Sequence, residues 1–83
     1  MKGDLRMNND IEFEVIKDIA AISENGNYSK RLRVVSYDGK PGKLEVRAWR
    51  NGKNGETPLK GITLTDEEAK ALMEALAQYF IAS

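Results

Sequence analysis

Eighty-three residues without a cysteine or a histidine allow one small domain, whose modest core gets no help from disulfides or a zinc site. No apolar run reaches the roughly 18 residues of a membrane span and no signal-peptide core opens the chain, so a soluble cytoplasmic protein is expected. Thirteen basic and thirteen acidic residues cancel overall, but residues 30–60 hold nine Lys or Arg against three Asp or Glu, a local charge of +6 that suggests an anionic partner.

Residues 1–10 (MKGDLRMNND) have no pattern and read as a flexible tail, leaving 11–83 as the domain. Over 11–23, Ile11, Phe13 and Val15 alternate with Glu12 and Glu14 until the alternation blurs after Lys17, which predicts a long strand with a bulge or bend near its middle. The Asn-Gly of "ENGN" (24–27) signals a hairpin turn. A second strand is expected over 28–37 (YSKRLRVVSY), then a five-residue loop "DGKPG" (38–42) and a third strand over 43–50. "NGKNGETP" (51–58) reads as a looser loop before a short strand "LKGITL" (59–64). Thr65 followed by Glu68 has the pattern of a capping box, opening a helix over about 66–81. Ala69, Leu72, Met73, Leu76 and Phe80 recur at helical spacing, and Tyr79 and Ile81 widen the stripe beyond one sheet face. The expected fold is α+β: a four-stranded antiparallel curved sheet and one C-terminal helix (ββββα), forming a homodimer through Leu72, Met73, Leu76, Tyr79 and Phe80.

The two central strands carry the functional signal. Alternation puts Leu32, Val34 and Ser36 with Leu44, Val46 and Ala48 on a core face. With the five-residue loop, the other face pairs Tyr37 with Lys43, Val35 with Glu45, Arg33 with Arg47 and Arg31 with Trp49. An open face bearing Arg31, Arg33, Tyr37, Lys43, Arg47 and Trp49 suits single-stranded nucleic acid, because bases stack on rings while cations follow the backbone. Arg33 opposite Arg47 would be an unfavourable like-charge pair unless an anion lay between them. A protein-interaction surface and a merely structural cation–π contact between Arg31 and Trp49 are the competing accounts.

Other motifs carry less. "GKNG" (52–55) matches a GXXG loop, but it follows a strand where a KH domain would place it between helices. There is no Walker loop, RNP1 pattern or zinc spacing, and without His or Cys the usual general bases, thiol nucleophiles and soft metal ligands are missing. A non-enzymatic protein needing no cofactor, metal or small-molecule substrate is expected.

The run "KRLRVVSYDGKPGKLEVRAW", then "LKGITLTDEE" and a terminal helix, resembles the single-stranded-DNA-binding domain of the transcriptional coactivator positive cofactor four, and looks closest to its small bacterial branch, the YdbC-like proteins. The resemblance covers about residues 11–80. It implies a homodimer whose helices pair across the two-fold axis and whose β-ribbons bind single-stranded DNA, with unpaired RNA as a further ligand. The family's phosphate-contacting arginine matches Arg47, the aromatic shortly after it Trp49, and the aromatic before the hairpin loop Tyr37. The loop-flanking lysines match Lys40 and Lys43, the lysine of the Lys-Gly pair matches Lys60, and Arg33 falls at a basic position of strand two. Leu59 and Arg50 stand where eukaryotic members have a basic residue and a second aromatic, and their serine-rich tail has no counterpart here, so the resemblance implies strand binding rather than coactivation. The alternative is a dimeric module that docks acidic protein segments.

Overall fold

The computed structural model describes residues 12–82; the tail expected over 1–10 and the start of the first strand at Ile11 lie outside them. Four strands, β1 (Phe13–Asn25), β2 (Tyr28–Tyr37), β3 (Lys43–Gly52) and β4 (Gly55–Leu64), form one antiparallel meander in chain order, and α1 (Asp66–Ala82) follows. The expected ββββα order holds. The loop expected over 51–58 does not: β3 and β4 run on until Gly52 pairs with Gly55, and only Lys53 and Asn54 turn between them. Gly55 takes φ +103°, a backbone setting that suits glycine at the close of such a turn.

The blurred pattern of β1 has a physical origin. Its register against β2 slips three times, leaving Ile16, Ile19 and Ile22 without a partner. Residues aligned with one face of β2 therefore recur every three positions, at Val15, Asp18, Ala21 and Glu24. Each bulge adds bend and twist, and the sheet curls hard. Eight residues of β2, about 26 Å if flat, separate the partner of Trp49 (Ser29) from the partner of Phe13 (Tyr37). Yet the Phe13 and Trp49 rings lie 5.2 Å apart.

The β2–β3 register differs from the expected one by two residues. Val35 pairs with Lys43, Arg33 with Glu45, Arg31 with Arg47 and Ser29 with Trp49. A shift of two preserves the faces, but it sets a carboxylate rather than a guanidinium opposite Arg33. It also lengthens the connection, since Tyr37 pairs only with Phe13 of β1.

The core is not on the expected face. Among the described residues, the buried ones are Val35, Trp49, Arg33 and Glu45, all on the concave side that the alternation assigned to solvent. Leu32, Val34, Leu44 and Val46 on the outer side are only half-buried. α1 starts as expected, with Glu68 N donating to Thr65 Oγ1 (3.0 Å) and Thr65 N to Glu68 Oε1 (2.8 Å). It then stands off the sheet. A gap of about 420 Å³ lined by Ile22, Leu32, Leu44, Leu64, Leu72 and Met73 lies between them, and no residue of α1 is buried. No helix is long and apolar enough to cross a membrane among the described residues.

Candidate nucleic-acid interface

On the concave face the arginines hold the protein together. Arg33 bridges both edge strands, donating to Asp18 of β1 (3.2 Å) and, through both terminal nitrogens, to Glu56 of β4 (2.9 and 3.1 Å). Its guanidinium carbon lies 4.7 Å from the Trp49 ring centroid, so the cation–π contact exists, but with Arg33 rather than Arg31. Arg31 donates to Asp18 (3.1 Å) and Glu24 (3.2 Å). Arg47 donates to both oxygens of Glu45 (2.9 and 3.0 Å) and stands 5.3 Å from the Tyr37 ring. The Tyr37 hydroxyl donates to the same carboxylate at 3.0 Å.

These bonds set the electrostatics. Burial alone would pull the Arg33 guanidinium down, but its bonds to Glu56 and Asp18 outweigh that and raise its pKa. The Arg33 bond holds the Asp18 carboxyl below its ordinary value, against an opposing effect of desolvation. Glu45 raises Arg47, with burial opposing. Burial, then the bond to Glu45, pushes Tyr37 up to about 12.

The expected open platform is therefore corrected. Trp49 is 1% exposed, between Phe13 and Arg33, and cannot stack an incoming base. Arg31, Arg33 and Arg47 each meet carboxylates of this chain, which weakens their claim on phosphate. Lys40, in the β2–β3 loop, and Lys43, at the start of β3, are exposed. Lys60 lines a groove on the outer side with Lys30, Val46, Ala48, Ile62 and Leu72, about 700 Å³ in volume, which Arg47 and Gly61 also border.

That groove leads to residues the sequence reading passed over. The alternation that puts Leu32 and Val46 on the outer face, continued toward the hairpin ends, adds Lys30 beside Ala48 and Tyr28 beside Arg50. Tyr28 is 53% exposed. No ion pair among the described residues engages Lys30, Arg50 or Lys60. An accessible ring and three cations thus share one end of one face, and the signal lay in following the period past the apolar residues. The expected dimer residues Leu72, Met73, Leu76, Tyr79 and Phe80 lie along α1, from 41% exposed at Leu72 to 71% at Phe80.

No protein-family model matches the chain. An uncharacterized protein of Treponema pallidum (strain Nichols) is 37% identical over 71 residues, spanning 84% of this chain and 81% of that protein. The chain belongs to the same family as this treponemal protein. With 81% of the relative's length matched, the family likeness extends over most of both chains, rather than over one motif.

Proposed function

We propose that the protein binds single-stranded nucleic acid, DNA first and unpaired RNA as a further ligand, as a homodimer. The strand crosses the outer face at its basic end. The observation that carries this is the exposed Tyr28 ring amid Lys30, Arg50 and Lys60, cations without a carboxylate partner among the described residues. A base stacked on an aromatic ring contributes about 1–3 kcal/mol, and the surrounding cations take phosphates. Duplex presents no open base face to such a ring. The resemblance to positive cofactor four supports the same reading, with Lys60 retained from it as a contact and Trp49 reassigned to the interior.

The uncovered apolar surface supports the dimer. Ile22 on the sheet and Met73, Leu76, Tyr79 and Phe80 on α1 are each 48–71% exposed, more than a small monomer ordinarily leaves in water. A second copy burying its own α1 stripe against this one covers both at once.

Titration of a labelled oligo-dT tests the reading. Tyr28→Ala and Lys60→Gln are expected to weaken binding while circular dichroism stays unchanged. Wild type should show a log–log salt slope near −2, about −0.7 for each of three phosphates. Equal affinity for duplex, or a salt-independent affinity, overturns it. If poly-glutamate displaces the oligonucleotide at equal charge, the groove is a dock for acidic protein segments instead. Sedimentation gives the oligomeric state, with Phe80→Asp expected to dissociate the dimer.

A further inference from the structure

Arg47 occupies the position that the resemblance gives to a phosphate contact, but its geometry describes another task. Three of its five donors are engaged within the chain: Nε and Nη2 on Glu45, and Nη1 on the backbone carbonyl of Leu59 at 2.8 Å. Glu45 is fully buried, so the fork is anchored from below.

Leu59 lies in the irregular part of β4. Arg47 pairs with Gly61 and Trp49 with Pro58, so one residue of β3, Ala48, faces both Leu59 and Lys60. The stem of Arg47 crosses over Gly61, where a Cβ would stand 2.6 Å from Arg47 Cβ and 2.6 Å from the Val46 carbonyl oxygen. The Lys-Gly pair of the sequence is thereby explained. Glycine leaves room for the arginine stem, and the arginine head holds the bulge.

The bulge decides two faces together. Beyond it, Lys60 and Ile62 line the outer groove. Before it, Glu56 bonds Arg33 on the concave side, and Pro58 and Leu59 adjoin Tyr37 and Arg47. A strict two-residue period would put positions 56, 58, 60 and 62 on one side. Without the extra residue, either Glu56 loses Arg33 or Lys60 leaves Lys30.

We infer that Arg47, although it borders the groove, is a positioning residue: it acts through Lys60, gripping the Leu59 carbonyl that fixes the bulge, and its guanidinium, held by Glu45 and Leu59, is not a phosphate contact. This rests on the reading of Lys60 as a phosphate contact. Arg47→Lys, Arg47→Gln and Lys60→Gln, singly and combined, are titrated with labelled oligo-dT across a salt series. Lys60→Gln should make the slope shallower by about 0.7, and each Arg47 variant should do the same alone and add nothing in the Lys60→Gln background. Lysine keeps the charge but cannot span Glu45 and Leu59 together, so Arg47→Lys at wild-type affinity overturns the inference. So does a double variant whose slope loss reaches about 1.4, the value for two separate phosphate contacts.

Gly61→Ala provides a second route should the Arg47 variants not fold, because it leaves the guanidinium in place while crowding its stem. It should reproduce the Lys60→Gln loss, and unchanged binding overturns the inference. Amide NMR keeps the two ideas apart. A Lys60–Ala48 contact that persists in Arg47→Gln rejects the positioning role whatever the binding data show. Loss of oligonucleotide binding by wild type would reject the functional reading alone.

Discussion

The two faces of this sheet are built on opposite principles. The concave face has the more charged sequence and the drier structure. Arg33 and Glu45 are buried, Trp49 is sealed, and each of its three arginines meets a carboxylate. The outer face is apolar through its middle and basic at one end, and it stays open. Charge count therefore says little about which side meets a ligand. What matters is whether each charge is already answered from within the chain. An internal ion network of this kind gives little net stability over apolar packing, yet it is costly to break one partner at a time.

The contrast can be broken most forcefully at Trp49. Trp49→Ala is expected to cost about 3–5 kcal/mol, a large part of the whole stability of a chain this size, which is on the order of 4–12 kcal/mol. Thermal melting by circular dichroism should then lose its cooperative transition near room temperature or slightly above. A stable, folded variant would return the tryptophan to the surface. Glu45→Gln keeps the shape and removes the charge that serves Arg47, and should cost about 1.5–3 kcal/mol in urea unfolding.

Across the sheet the balance reverses. Tyr28→Ala should change stability by no more than about 0.5 kcal/mol while lowering oligo-dT affinity by about 1–3 kcal/mol, measured by fluorescence anisotropy. The smallest effect is titrational. Of the three tyrosines, Tyr37 should ionise at about 12 in absorbance at 295 nm, and Tyr37→Phe should remove that step. Because its folded value is raised, the stability it contributes is complete below the ordinary tyrosine pKa near 10. That contribution fades as pH rises toward 12.

Local chemistry made much of the fold legible. The β2 boundaries, the helix start at Thr65 and the β1–β2 turn follow from alternation, a capping box and an Asn-Gly signal, whereas the tight β3–β4 turn reads in sequence as a loose loop. The three slips of β1 showed only as a loss of pattern, because a bulge erases the period used to find a strand. The site was half legible. Of the residues proposed for the site, Lys60 came from the resemblance at its Lys-Gly pair, whereas Tyr28, Lys30 and Arg50 were passed over because the outer face had been set aside as core. The β2–β3 register escaped because a loop's length in sequence does not fix where pairing resumes, and here Ser36 and Tyr37 leave the ladder with β3.

By itself the sequence determined which residues of β2 and β3 share a face, since a regular pleated strand alternates whatever surrounds it. Only the tertiary structure decided which face is wet. Three bulges in β1 curl the sheet until Phe13 reaches Trp49, and carboxylates from both edge strands close over Arg33. Curvature arises from register slips and long-range pairing, which no local period encodes. It therefore turned the most charged side of the hairpin into an interior and left the basic end of the other side in solvent.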